Sequence, residues 1–174
     1  QKEILETALA WIVVMGMLVY GIAKVMQFKG AAEVDKFVSE MTGMELMWAF
    51  YGYSRPFQLL LGVLEVSGGL LILFKRTRLI GGILATTILV NLILQDVFYG
   101  VNQGALRAAI LYQVCIFVFF WLNKTQIIKT LQVLTQNKID WSDKKRLFIK
   151  LSFAFFLFVV FRIAEFYLTR MAWF

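Results

Sequence analysis

Gly62 to Arg78 reads GVLEVSGGLLILFKRTR. It is an apolar run with one carboxylate, Glu65, well inside it, closed by the basic cluster Lys75-Arg76-Thr77-Arg78. The run has the make-up of a membrane span, the cluster marks a cytoplasmic end, and the glutamate lies too deep to belong to a loop. Outward from this stretch, 60% of the 174 residues are hydrophobic and mean hydropathy is +0.74. A soluble domain is closer to roughly half apolar, so the chain is that of a membrane protein. One proline and no Ser- or Gly-rich linker give a single membrane domain over residues 1–174.

A spanning helix needs about 20 apolar residues. Five segments qualify, at about 7–26, 57–74, 79–99, 105–122 and 148–168. The second and third are separated by the basic cluster alone, which makes them antiparallel neighbours. Val101-Asn102-Gln103-Gly104 makes a second short turn. The first segment is long and lacks a small-x-small cleavage site, so it reads as an uncleaved span rather than a signal peptide. The side holding the N-terminus, the 75–78 turn and the 123–147 connection carries Lys2, Lys75, Arg76, Arg78, Lys124, Lys129, Lys138, Lys144, Lys145 and Arg146. On the other side acidic residues lie among the basic ones. The expected topology is N-terminus in and C-terminus out, across a bacterial cytoplasmic membrane.

The net charge of +7 sits in the gaps between apolar runs, which argues for topology and lipid contact and against nucleic acid. Histidine is absent, which removes bis-His haem, His-containing zinc sites and Ser-His or Cys-His catalysis. Cys115 is the lone cysteine, so no Cys-x-x-C redox pair exists. No catalytic residue and no metal ligand set is assigned, and the chain leans away from being an enzyme.

Two connections read as interfacial amphipathic helices. In the outer one Val34, Phe37, Val38 and Met41 recur at helical spacing, with Lys29, Glu33, Lys36 and Glu40 on another face. It runs into the aromatic cluster Trp48-Ala49-Phe50-Tyr51-Gly52-Tyr53, with Pro56 suited to the first turn of the second span. In the inner one Ile127, Ile128, Leu131 and Leu134 form the apolar face. The fold class is therefore all-α: a polytopic four-helix bundle, a Phe-rich fifth span packed at its periphery, and two interfacial helices.

Ionisable and amide side chains inside spans are functional-site hypotheses by default. Glu65 lies nine residues past Pro56, about 13 Å from the outer end of its helix. Tyr20, Lys24, Asn91, Gln95, Asp96, Arg107 and Gln113 share that outer half with it. Together they suggest one outward-opening polar pocket, with Lys24 pairing to Glu65 and Asp96 to Arg107. The plainer reading is interhelical glue for Asn91 and Gln95 and headgroup snorkelling for Asp96 and Arg107.

Gly16 to Met26 (GMLVYGIAKVM), Gly62 to Phe74 (GVLEVSGGLLILF) and Arg76 to Gly82 (RTRLIGG) resemble the DoxX-like membrane family over about residues 10–122. Its pattern is a first helix ending in Gly-x-x-Lys and a second with Glu followed closely by Gly-Gly; Lys24, Glu65, Gly68 and Gly69 match. The resemblance implies a four-helix bundle and a redox connection, because the family includes subunits of quinone-linked oxidoreductases and proteins needed to mature partner enzymes. The expected function is an accessory or assembly subunit that binds another membrane or exported protein, or forms a homo-oligomer, among membrane lipids. The alternative is a quinone- or lipid-binding redox component with its pocket around Glu65; no other cofactor is indicated.

Overall fold

A segment crossing a bilayer has to satisfy its own backbone, and each of the five apolar segments folds as a helix long enough to do so. The computed structural model describes residues 1–136 and 144–170; Lys138 of the basic count lies outside them. The helices are α1 (Lys2–Gln27), α2 (Gly43–Tyr53), α3 (Arg55–Leu73), α4 (Arg78–Tyr99), α5 (Gln103–Leu122), α6 (Lys124–Leu134) and α7 (Lys144–Arg170). All but α2 and α6 are membrane spans, so the chain is a polytopic helical membrane protein. The described residues form two compact units, Gln1–Lys129 and Thr130–Phe174.

The first unit is an up-and-down ring in which α1 packs on α3, α3 on α4, α4 on α5 and α5 back on α1. Short connections dictate this order. Phe74 to Thr77 leaves room only for a hairpin, and Gly100 adopts φ 60°, the left-handed conformation that lets α4 stop and turn back. Asn102 then caps α5, its side chain accepting the Ala105 N–H at 2.9 Å. The core is Val13, Met17, Ile72, Ala85, Leu89, Ile116 and Phe119 with smaller neighbours, Cys115 among them. Cys115 is buried there as a packing residue.

At the end of the ring that holds the N-terminus, Arg78 is buried rather than part of a solvated basic turn. Its Nε donates to the Ile72 carbonyl at 3.0 Å and Nη1 to Glu6 Oε1 at 3.2 Å. One guanidinium thus satisfies a free carbonyl at the end of α3 and ties it to α1. Lys75 pairs with Glu3 beside it.

The outer interfacial helix forms, but not where the periodicity placed it. Residues 28–37 run through turns and irregular chain, and only Val38–Glu40 make a single 3-10 turn. Gly30 sits at φ 74°, outside the right-handed helical region, and Phe37 is 77% exposed. The helix starts at Gly43, because Thr42 and Glu45 make a capping box: Thr42 Oγ1 accepts the Glu45 N–H at 3.2 Å and Glu45 Oε2 accepts the Thr42 N–H at 2.9 Å. Lys36 joins it, 2.5 Å from Glu45 Oε1. These hydrogen bonds hold the Glu45 carboxyl down at about 2. A depressed carboxyl stabilises the fold above its unfolded value and loses that contribution as pH falls toward the folded one. The amides of 43–53 are therefore expected to exchange hydrogen faster as pH drops from about 4.5 toward 2, after correction for intrinsic rates. Thr42→Ala should speed their exchange already at neutral pH, by the equivalent of about 1 kcal/mol.

The inner helix α6 carries Ile127, Ile128, Leu131 and Leu134 as expected. In the second unit, α7 presents paired rings, Phe153 with Phe156 and Phe155 with Phe158, 6.4 and 6.2 Å apart. Arg162 and Glu165, one turn apart, pair with each other.

Candidate functional site

Small residues bring α1 and α3 into backbone contact. A Cβ on Gly62 would stand 2.6 Å from the Gly21 carbonyl oxygen, and one on Gly21 would stand 2.9 Å from that of Gly62. The same approach sets Lys24 Cβ against Gly62 and Glu65 Cβ against Gly21, so the two side chains reach each other across the antiparallel pair. Lys24 Nζ lies 3.1 Å from Glu65 Oε1, and the two side chains are 6% and 2% exposed. Glu65 Oε2 is buried with no hydrogen-bond partner. A desolvated pair of this kind persists because each charge answers the other. The Lys24 ammonium also lies 5.7 Å from the centroid of the Phe28 ring.

Beside this pair the first unit encloses a cavity of about 750 Å³, at the end where α2 joins α3. Its polar wall includes Tyr20, Lys24, Gln27, Glu65, Asn91, Gln95, Asp96 and Asn102, with Thr87 and Tyr112 beside them. Met17, Leu61, Ile88, Leu89 and Leu92 are among the apolar residues. A volume in this range suits a molecule of drug-like size, with a mainly apolar body and a few polar contacts.

The roof is α2, through Met47, Trp48, Phe50 and Tyr51. Phe28, Tyr51 and Phe57 stack in sequence, with centroids 5.1 and 6.0 Å apart, and Trp48 meets Phe28 edge-on at 5.5 Å. Tyr51 OH donates to Gln95 Oε1 at 2.7 Å, and Gln95 Nε2 donates to Asn91 Oδ1. Burial pushes the Tyr51 phenol above its ordinary pKa, so it stays protonated and keeps donating. Removing that proton donor with Tyr51→Phe should loosen α2 by about 1 kcal/mol. Hydrogen exchange should then rise across 43–53 and stay unchanged in α1 and α3.

Six of the eight sequence-derived pocket residues therefore meet on one wall: Tyr20, Lys24, Glu65, Asn91, Gln95 and Asp96. Arg107 and Gln113 are not on it. Gln113 is buried and donates to Thr86 Oγ1 at 3.2 Å, joining α5 to α4. The Asp96–Arg107 pair is not among the ion pairs of the described residues, which corrects the expectation. Asp96 instead lies across the α4–α5 turn from Asn102, whose backbone amide favours its charged form. Arg107 lies on an exposed face of α5, away from the buried stripe at Ala109, Gln113 and Ile116.

Sequence reasoning missed the aromatic wall as a wall. Trp48 to Tyr53 reads as a headgroup belt, and only the capping box at Thr42-x-x-Glu45, which turns that belt into a helix, shows that one face is turned inward. It also missed Arg78, which hides in a run of basic residues but opens an apolar span.

The family model described as methylamine utilisation protein MauE matches residues 2–109 of this chain. That range holds α1 to α4, the start of α5 and all of the cavity's polar wall except Tyr112. YwoB, an uncharacterized protein of Bacillus subtilis (strain 168), is 29% identical over 124 residues, 70% of this chain and 77% of that protein. No solved structure matches. The family found is a membrane-protein family, as the resemblance implied, and it is MauE rather than DoxX.

Proposed function

This chain belongs to the MauE family, and from that membership we propose that it is an accessory subunit of a membrane system, one that binds another membrane or exported protein at the cavity under α2. The family's name supports a place in methylamine utilisation. The observation that carries the reading is the chemistry of the cavity wall. It offers amides, phenols, aromatic rings and a mutually neutralised ion pair, and no nucleophile set beside a base. That is an inventory for recognition. Residues 2–109, which bear all of it but Tyr112, are also the residues the family model matches, while α6 and α7 lie beyond them.

The reading includes the orientation drawn from the Lys and Arg distribution, with the N-terminus in the cytoplasm and the α2 end outside a bacterial cytoplasmic membrane. Cysteines introduced at positions 102 and 77 test it: the first should be labelled from outside and the second protected. A quinone or lipid in the cavity is the second reading, supported by the mainly apolar lining around a buried carboxylate. Purification in mild detergent separates the two. A stoichiometric protein partner, lost when the cavity wall is altered, supports the accessory role. A monomer that carries only a bound quinone or lipid selects the second reading.

A further inference from the structure

We propose that the cavity under α2 binds a primary alkylammonium ion, its N–H donors directed at the carboxylate end of the wall and its alkyl body against the aromatic rings. The proposal rests on the reading of the cavity as the recognition site and names its ligand chemistry. Among the described residues, the buried side-chain atoms without a hydrogen-bond partner are all oxygens, Gln27 Oε1, Glu65 Oε2 and Gln113 Oε1. Two of the three belong to residues on this wall. These oxygens are themselves sealed, but they leave the wall short of donors, so a ligand that supplies N–H groups suits it, whereas a carbonyl or a carboxylate sets acceptor against acceptor.

Charge points the same way. The wall carries one cation, Lys24, and two carboxylates, Glu65 and Asp96, a net charge of −1. Lys24 is committed to Glu65 at 3.1 Å, and Asp96 is in none of the ion pairs of the described residues. The rings stacked at Tyr51 leave Phe57 and Phe50, both more than a third exposed, as the aromatic surface for a cation, and Lys24 over Phe28 already illustrates the attraction. A cavity of about 750 Å³ exceeds what an ammonium group fills, and its remaining apolar surface suits a hydrocarbon body.

The test is a titration of the purified full-length chain in mild detergent with hexylammonium, 1-hexanol and hexanoate, read by tryptophan fluorescence, since Trp48 is on the wall. Hexylammonium is expected to bind saturably and at least about tenfold tighter than the other two, the size of one charge-assisted hydrogen bond. Asp96→Asn should weaken it about tenfold. Hexanol or hexanoate binding equally well, or no saturable binding of hexylammonium, overturns the proposal whether or not the variant folds. An aminophospholipid carries the same group as a free amine. Nanodiscs of phosphatidylglycerol with and without phosphatidylethanolamine distinguish the sources, because competition by the second lipid assigns the site to the headgroup. Partner co-purification is scored on the same preparations. A retained partner without ammonium selectivity removes this ligand assignment alone, and selectivity without a partner removes the accessory role alone.

Discussion

Lys24→Met is expected to destabilise the first unit by about 3–5 kcal/mol, the range for stripping one partner from a buried ion pair. The magnitude follows from burial. Glu65 is 2% exposed and has one partner for its two oxygens, so losing the ammonium leaves a carboxylate with neither water nor counter-charge. Glu65→Gln strands Lys24 in the same way. The double variant Lys24→Met/Glu65→Leu removes both charges and fills the space with hydrocarbon, so it should recover most of the loss. Thermal unfolding of the three variants in one detergent measures this as a double-mutant cycle. A Lys24→Met variant as stable as the parent would mean that water reaches the pair. Recovery of stability without recovery of partner binding would separate the structural part of the pair from its role in recognition.

Gly62→Val should cost roughly 3 kcal/mol, because the obstacle is backbone. The added Cβ would stand 2.6 Å from the Gly21 carbonyl oxygen, which cannot swing aside as a side-chain tip can. The helices would have to part, drawing Lys24, whose Cβ lies beside Gly62, away from Glu65. Gly68→Ala is the internal control on the same helix. Its Cβ would meet Met17 Cε at 3.5 Å and Ala85 Cβ at 3.8 Å, ordinary contacts. Gaining helix propensity without a clash, it should be neutral or stabilising by up to about 1 kcal/mol. Equal effects at positions 62 and 68 would show that the α1–α3 approach is not set at Gly21 and Gly62.

Much of this architecture was legible because a bilayer leaves the chain few choices. Apolar length gave the spans, and the short Lys75–Arg78 and Val101–Gly104 breaks gave antiparallel neighbours. Depth along each helix put Lys24, Glu65, Asn91, Gln95 and Asp96 at one level, and all five line one cavity. Azimuth was harder to read. Arg107 shares the depth of the others but sits on an outward face of α5, and Gln113 spends its amide on Thr86. The segment 29–41 misled because spaced apolar residues indicate a helix only where the backbone permits one, and Gly30 at φ 74° together with the Thr42 cap moves the helix to 43–53. The roof of the cavity was invisible for the same reason: Trp48 and Tyr51 look like interfacial anchors until the capping box fixes which face turns inward.

The cavity under α2 is the proposed site of contact with a partner protein. A photo-crosslinking amino acid in place of Phe50, which lines the cavity and is 60% exposed, tests it in native membranes, with Val63 on an equally exposed face of α3 as the comparison. One discrete protein adduct is expected from position 50, absent from position 63 and lost when Glu65→Gln is added. Adducts to lipid alone at position 50, or the same protein captured from both positions, would contradict it.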